Sequence, residues 1–320
     1  MKFAVLSLNP GIDRVLYLTD PITTGGLNRA ARSVTSQGSK GANVAIMLSR
    51  LGCKVEYYAF TGGVYGKICD SFTDREKNIT PFYVSADCGV RVNTKVIDSD
   101  GCCTELNERG GPFLKNELRT LSERFLSSDA DVFCLCGSIP QGVEKSVYNL
   151  LISRLKAAGK ITVLDCDGDA LIQGIKAKPD YIKPNLYELS VFLKSTGLCE
   201  TFSSEKTYDK ENIRAACGKI TDTYGTGVLC TIGDNGALAV TEKESYFCSP
   251  AKVKLRGFSG AGDCFLAGFV YAKYSLGLGT DKALAAASAC GGAKVELEGS
   301  FIPSYDRVNE ILSLLDPQKL

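Results

Sequence analysis

Between residues 131 and 233, short apolar runs alternate with stretches of helical pattern, and this alternation constrains the fold more than any other feature. The apolar runs are DVFCLC (131–136), ITVLD (161–165), DYIKPN (180–185) and VLCTIG (228–233), and the helical stretch SVYNLLISRLKAAG lies between the first two. Buried strands separated by helices are typical of a parallel sheet that is covered on both faces. The sequence therefore predicts an α/β fold, which we expect to form a single domain over residues 1–320.

The turns after these strands are the expected place for a functional site. They read GSIPQG (137–142), KPNLYE (183–188) and GDNGA (233–237). In open α/β sheets, ligands bind at the carboxyl ends of the strands. We therefore expect the three turns to contribute to one site.

A second group of segments has a period of two residues instead. In GVRVNTKVID (89–98), valines alternate with Arg91, Asn93 and Lys95, which is typical of a strand in an antiparallel sheet with one wet face. Further strands are predicted at about 12–20, 28–38 and 102–108. These segments predict a small β-sheet that covers a site as a lid, although a solvated surface face would produce the same alternation.

Composition excludes several classes of function. The 37 basic and 36 acidic residues nearly balance, which gives no electrostatic reason to expect nucleic acid or an anionic membrane as partner. No apolar run is long enough to span a bilayer, and MKFAVLSLNPG does not resemble a signal peptide, so a cytoplasmic location is expected.

The chain has no histidine, so acid–base chemistry must use a carboxylate, lysine, tyrosine or cysteine. The fourteen cysteines include no Cys-x-x-Cys pair and are expected to be reduced and structural.

Two glycine-rich turns precede predicted helices. In RGFSGAGDCFLAGFVYA (256–272), the turn Gly260-Ala261-Gly262-Asp263 leads into apolar residues with helical spacing, and Gly277 supplies a stop. Unpaired backbone N–H groups at a helix start can bind an anion. Alternatively, the Asp at this position is simply an N-cap that stabilises the helix. In SQGSKGANVAIMLSRLG (36–52), Gly38, Lys40 and Gly41 precede a helix predicted from about Ala42 to Gly52, without the spacing of a Walker A loop.

Nine motifs occur in the order that is found in the ribokinase-like, PfkB-type carbohydrate kinases. They are NPGID (9–13), GSKGANVA (38–45), TGG (61–63), RVNTK (91–95), TELNERGGP (104–112), GSIPQG, KPNLYEL (183–189), TIGDNGA (231–237) and GAGD (260–263). The chain resembles this family over nearly its whole length, and within it the branch that holds 1-phosphofructokinase and tagatose-6-phosphate kinase. One departure is Ser39, which stands where this branch usually has glycine.

The resemblance implies a role for each glycine-rich turn. Asp263 would be the base that takes the proton from the attacking sugar hydroxyl, and the amides of Gly260, Ala261 and Gly262 would form an anion hole. Acceptor-binding residues would be Asp13, Gly38, Lys40, Asn43, Arg91, Asn107 and Ser138, with Lys40 and Arg91 paired to a phosphate of the acceptor. Lys95 and Glu105 would contribute from the lid, although a solvated strand face explains Lys95 equally well. Donor-binding residues would be Lys183, Asn185, Glu188, Thr231, Gly233 and Gly236, with Glu188 near Mg²⁺ through water.

The implied reaction is a magnesium-dependent transfer of phosphate from ATP to a ketohexose monophosphate. Fructose 1-phosphate is the expected acceptor and fructose 1,6-bisphosphate the product. Tagatose 6-phosphate or fructose 6-phosphate is the alternative, because Lys40 and Arg91 do not distinguish acceptors that carry one phosphate. A sugar-phosphate sensor without turnover is the alternative from another class. The resemblance also implies a homodimer that pairs through the lid.

Overall fold

The predicted apolar runs lie side by side in one central sheet. The computed structural model of the chain describes residues 1–202 and 209–320. The strands of the central sheet are β1 (Lys2–Ser7), β4 (Lys54–Thr61), β5 (Ile79–Ser85), β8 (Val132–Cys136), β9 (Ile161–Asp165), β10 (Tyr181–Ile182), β11 (Gly227–Thr231), β12 (Ala237–Val240), β13 (Ser245–Cys248) and β14 (Gln318–Lys319). Their order is β14-β13-β12-β11-β10-β9-β8-β1-β4-β5. The pairs from β5 across to β11 are parallel, and only β12, β13 and β14 join antiparallel.

Helices cover both faces of this sheet, as the alternation predicts. They are α1 (Lys40–Arg50), α2 (Gly63–Asp74), α3 (Lys115–Leu126), α4 (Val147–Ala157), α5 (Gly168–Gly174), α6 (Leu186–Thr196), α7 (Lys210–Tyr224), α8 (Ala261–Val270), α9 (Thr280–Val295) and α10 (Tyr305–Leu312). Helices α1, α8, α9 and α10 share one apolar core with the sheet, and α3 to α7 share the other. Successive residues of β1 alternate between the two cores, because strand side chains point to opposite faces. The α/β prediction is confirmed, and no helix in the two described ranges is long and apolar enough to cross a bilayer.

The second sheet contains the four strands that were predicted for the lid. They are β2 (Gly11–Leu18), β3 (Ala30–Gln37), β6 (Arg91–Ile97) and β7 (Cys103–Asn107), in the order β3-β2-β6-β7. Strands β2 and β3 pair antiparallel, as do β6 and β7, but β2 and β6 run parallel. The prediction of an antiparallel sheet is therefore wrong for the central pair. Since β2 and β6 come from two separate excursions of the chain, no hairpin turn fixes their relative direction.

Two helix N-termini meet below this second sheet. Helix α1 begins at Lys40, two residues before the predicted start, with the Ser39 hydroxyl as its N-cap. Helix α8 begins after Gly260, whose φ of +82° places it in the left-handed region that glycine adopts without strain. A Cβ at Gly260 would lie 3.0 Å from Asn43 Nδ2 of α1. The two glycine-rich turns of the sequence thus lie against each other.

Helices α8 and α9 pack so closely that Gly268 has no room for a side chain. A Cβ there would lie 2.7 Å from both the Ala286 carbonyl oxygen and Cys290 Sγ. We expect Gly268→Ala to lower the free energy of unfolding by about 1–3 kcal/mol, since inserting a methyl group into a close-packed core forces the backbone to shift. Urea unfolding measures this change.

The matched control is Gly218→Ala in α7, because a Cβ at Gly218 meets no heavy atom within 4 Å. That variant should be more stable by roughly 0.5–1 kcal/mol, since alanine has the higher helix propensity. Equal effects of the two substitutions would contradict the close packing of α8 against α9.

Candidate active site

A polar cleft of about 460 Å³ lies between the carboxyl ends of the central strands and the lid sheet. Its volume is in the range of small-molecule sites. Most of the predicted site residues line it together: Asp13, Gly38, Lys40, Asn43, Arg91, Asn107, Ser138, Lys183, Asn185, Glu188, Thr231, Gly260, Gly262 and Asp263. The cleft is also lined by residues that sequence reasoning did not assign to a site, among them Ser7, Asn9, Asn93, Asp167, Ser259 and Ser300.

Asp263 lies in the first turn of α8 and is almost fully buried. Its Oδ2 accepts a hydrogen bond of 2.7 Å from Asn43 Nδ2. Burial and the negative charge of Asp165 raise the pKa of Asp263 to about 6. A carboxyl group with this pKa gains and loses a proton near neutral pH, which suits a general base.

Asp165 lies at the carboxyl end of β9 with no exposed surface, and two lysines bind it. Lys40 Nζ is 3.0 Å from its Oδ1 and Lys183 Nζ is 3.4 Å from the same atom. Burial alone would raise the pKa of Asp165, but the two ammonium groups outweigh it and hold the pKa below its ordinary value. Asp165 therefore stays ionised next to Asp263. A carboxylate that ends a buried strand at the ligand edge was the sequence signal for this residue.

Lys40 is bound by carboxylates on the side of the predicted donor residues. Besides Asp165, it lies 3.8 Å from Glu188 Oε1. The sequence analysis placed Lys40 beside a phosphate of the acceptor, next to Arg91. In the structure its ammonium neutralises Asp165, because a fully buried carboxylate requires a counter-ion. Its pairing with a phosphate of the acceptor stays a prediction.

Asn185 and Glu188 cap helix α6. Asn185 Oδ1 accepts from the Glu188 N–H at 2.8 Å, and Glu188 Oε2 accepts from the Asn185 N–H at 2.9 Å. This capping box explains their three-residue spacing by helix stability alone. It leaves Glu188 Oε1 directed to Lys40 and available to a ligand.

The oxygen atoms at this edge fit a hydrated magnesium ion. Asp165 Oδ2 is buried without a hydrogen-bond partner, and Glu188 Oε1 is not used by the cap. No group of three or more carboxylate or cysteine side chains that could hold a metal ion occurs within residues 1–202 and 209–320. Magnesium commonly binds one or two carboxylates and completes its shell with water and phosphate oxygens, so this donor set is sufficient.

Asp13 is held by three donors at the lid end of the cleft. Its carboxylate accepts hydrogen bonds from Asn93 Nδ2 at 3.0 Å, Ser300 Oγ at 2.9 Å and Lys95 Nζ at 3.3 Å. Lys95 also bonds Ser259, the residue before the turn that runs from Gly260 to Asp263. The side chain of Lys95 thus joins the lid to the turn, which a solvated strand face would not do.

Gly38 contacts Asp13 so closely that only glycine fits. A Cβ there would lie 2.4 Å from Asp13 Oδ1 and 2.5 Å from the Asp13 nitrogen. The Gly38 carbonyl oxygen also accepts from Asn93 Nδ2 at 3.2 Å. Asn93 was missed as a site residue, although its place between Arg91 and Lys95 on the polar face of β6 was the signal.

Arg91 is a cation without a carboxylate partner. Its Nη1 donates to the Glu108 carbonyl oxygen at 3.1 Å, and its Nε is buried with no partner. Burial lowers the pKa of Arg91, yet a guanidinium stays charged in proteins. Within the described chain Arg91 forms no ion pair, so its charge is available to an anion in the cleft.

Three predicted site residues do not line the cleft: Ala261, Gly233 and Gly236. Gly233 and Gly236 lie in the turn between β11 and β12. A Cβ at Gly236, where φ is +103°, would lie 2.3 Å from the Cys248 carbonyl oxygen, so the turn itself requires glycine there. Their role toward ATP stays a prediction.

The raised pKa of Asp263 predicts that its charge destabilises the fold. Below about pH 4 the carboxyl group is mostly neutral in both the folded and the unfolded state. Above pH 6 it is ionised in both states, and the buried charge then lowers the free energy of unfolding. Asp263→Asn should therefore increase the free energy of unfolding by about 3 kcal/mol at pH 8, and the gain should vanish below about pH 4. Urea unfolding between pH 4 and 8 tests this; a gain that is equal at every pH would contradict it.

Residues 7–306 match the pfkB family of carbohydrate kinases. A 1-phosphofructokinase of Bacillus subtilis is 30% identical over 266 residues, which cover 83% of each chain.

Two solved structures are similar in fold. Phosphofructokinase-2 from Escherichia coli, in complex with substrates and products, superposes with a TM-score of 0.88 at 24% identity, covering 98% of this chain and 99% of that one. Ribokinase from Thermotoga maritima superposes with a TM-score of 0.76 at 23% identity, covering 98% and 99%. The expectation of a ribokinase-like fold is confirmed. Since the family match spans most of the sequence, the chain belongs to the pfkB family of carbohydrate kinases.

Proposed function

We propose that the protein transfers the terminal phosphoryl group of ATP to the free primary hydroxyl of fructose 1-phosphate. One observation supports this above others: the cleft combines a proton-accepting carboxylate, Asp263, with Arg91, a cation that forms no ion pair with any carboxylate of the described residues. The first suits the attack of a hydroxyl group and the second suits a phosphate that the acceptor already carries. The name of the relative from Bacillus subtilis agrees with this acceptor.

Asp263 would take the proton from the attacking hydroxyl as the new P–O bond forms. The backbone N–H groups of Gly260 and Gly262, which line the cleft at the positive end of α8, would stabilise the charge of the transferring group, whereas that of Ala261 donates to the Phe258 carbonyl oxygen at 3.2 Å. Phosphoryl transfer depends mainly on positioning and charge stabilisation, so a histidine is not needed.

Donor binding is assigned to the carboxyl ends of the later strands. Lys183, Asn185 and Thr231 line the cleft there and would contact the phosphates of ATP. Glu188 and the unpartnered oxygen of Asp165 would hold magnesium through water, and the ion would neutralise phosphate charge. Lys40, which is bound by these same two carboxylates, would lie beside the transferring group.

Acceptor binding is assigned to the lid end. Asp13 would accept hydrogen bonds from sugar hydroxyls, with Gly38, Asn43, Asn107 and Ser138 along the sugar. Asn9 supports this arrangement, because its Nδ2 donates to Ser138 Oγ at 2.9 Å and to the Arg109 carbonyl oxygen at 3.0 Å. Arg91 would bind the phosphate of the acceptor with its guanidinium fork.

The remaining proposals concern the whole molecule. The lid strands leave from and return to the central sheet, which supports one kinase domain over residues 1–320. Strand β7 is exposed along its full length at an edge of the lid and carries Leu106, 61% exposed, so a homodimer would pair through this sheet. All fourteen cysteines are free, and both free thiols and ATP suit the cytoplasm.

Comparing acceptors tests the proposed function. ADP release with magnesium and ATP should show the highest kcat/KM for fructose 1-phosphate among fructose 1-phosphate, tagatose 6-phosphate, fructose 6-phosphate, fructose and a nucleoside. Preference for a 6-phosphate would support the alternative kinase, and preference for a neutral acceptor would contradict the role of Arg91.

Asp263→Asn is the control for catalysis in this assay. Removing a general base should lower kcat by roughly 10²–10⁴-fold. Binding of sugar phosphate by the wild type without ADP release would instead favour a sensor.

Arg91→Ala should raise KM for the sugar phosphate by at least about tenfold, because the variant loses a charge-assisted hydrogen bond to phosphate. The KM for ATP should not change. Arg109→Ala is the matched control, since Arg109 is exposed, follows Glu108, whose carbonyl oxygen Arg91 bonds, and does not line the cleft. If both variants had a similarly raised KM for the acceptor, the loss of any positive charge would explain the effect, and the binding of phosphate by Arg91 would be contradicted.

A further inference from the structure

Lys294, near the end of α9, has no exposed surface and no carboxylate partner. It is among the largest fully buried side chains of the described chain. Its Nζ donates to the carbonyl oxygens of Gly299 at 3.0 Å and Leu297 at 3.3 Å. No Asp or Glu oxygen within residues 1–202 and 209–320 lies within 4.0 Å of it. A buried ammonium that is held only by carbonyl groups is costly for the fold, and nothing in the proposed reaction uses it.

The turn that Lys294 binds, residues 297–300, leads directly to the acceptor site. Ser300 Oγ donates to Asp13 Oδ2 at 2.9 Å. The Ser300 N–H donates to Ser36 Oγ at 3.0 Å, and Gln37 Nε2 donates to the Ser300 carbonyl oxygen at 2.6 Å. Ser300 is therefore fixed to strand β3 of the lid as well as to Asp13.

The aliphatic part of Lys294 lies under the catalytic turn. A Cβ at Gly260 would be 3.5 Å from Lys294 Cε and 3.0 Å from Asn43 Nδ2. One side chain thus contacts the turn that precedes Asp263 and binds the turn that carries Ser300.

We propose that Lys294 is a positioning residue for the acceptor, acting as a fixed cation that holds the 297–300 turn so that Ser300 can orient Asp13. Carbonyl groups that converge after a helix end carry partial negative charge and would repel one another without a cation between them. Without the ammonium group, the turn relaxes and Asp13 loses one of its three donors. This inference rests on the proposed function, because it assumes that Asp13 binds the acceptor.

The first test is Lys294→Met, which keeps the length and apolar contacts of the side chain but removes its charge. The KM for the acceptor should rise by about tenfold, as expected for loss of interactions that orient one carboxylate. The KM for ATP should stay within about twofold, because the donor-binding residues lie elsewhere in the cleft. A purely structural role would lower the amount of active enzyme, and hence kcat, without this selective change in KM.

The second test is chemical rescue of Lys294→Ala. Propylammonium has the three carbons and the ammonium group that this substitution removes. It should lower the raised KM for the acceptor in a saturable way, whereas propanol and sodium chloride at matched concentrations should not. Each comparison uses one preparation of the variant, so partial loss of stability does not imitate rescue.

Lys160→Ala is the matched control for rescue. Lys160 Nζ also donates to two carbonyl oxygens, those of Ala130 at 2.7 Å and Asp129 at 3.5 Å. Lys160 precedes β9, so it lies at the amino ends of the central strands, whereas the cleft lies at their carboxyl ends. This variant should keep the wild-type acceptor KM and should not respond to propylammonium. The wild type is measured in the same salts.

The inference is wrong if Lys294→Met keeps the wild-type KM for the acceptor, or if folded Lys294→Ala is equally impaired with and without propylammonium. All measurements use the acceptor that the wild type prefers. A wild type without kinase activity would refute the proposed function, whereas an active wild type with unaffected variants would refute only the role of Lys294.

Discussion

The buried carboxylate of Asp165 is the charge on which the rest of the site depends. It lies at the carboxyl end of β9 with no exposed surface, so the fold must provide counter-charge inside the protein. Lys40 supplies it from the start of α1 and Lys183 from the residue after β10. Burial raises the pKa of Asp263, and the negative charge of Asp165 raises it further. One buried group therefore binds two lysines and contributes to the raised pKa of Asp263 in the first turn of α8.

A second network of hydrogen bonds joins the lid sheet to the rest of the chain. Asp13 of β2 accepts hydrogen bonds from β6 and from the 297–300 turn, and Lys95 extends the contacts to Ser259. The lid is thus connected to the catalytic turn by polar side chains in the floor of the cleft. Such contacts break and re-form more easily than apolar packing, since water can replace each partner. This property is suitable for a sheet that must admit and release a substrate.

The structure explains why some site residues could be predicted and others could not. Asp263, Gly260 and Lys40 occur in glycine-rich turns before helices, and the physical reason for their pattern is local. Ser300 has no such pattern, because its role depends on Asp13, which lies more than two hundred residues away. The role of Lys294 could not be predicted either, because in the sequence it is an ordinary lysine near the end of a helix that is rich in small residues. Only packing shows that it is fully buried under Gly260.

The sequence alone determined the layered α/β architecture and the four lid strands, because hydrophobic periodicity and turn chemistry act over a few residues. Most residues of the cleft followed from the resemblance of nine motifs to a known family. The tertiary structure decided three further points. It made β2 and β6 parallel, since no hairpin joins them. It placed Gly233 and Gly236 outside the cleft, in the β11–β12 turn, which has no room for a side chain at Gly236. It also turned Lys40 toward Asp165 and Glu188, because the partner of a charged side chain depends on which distant charges the fold buries beside it.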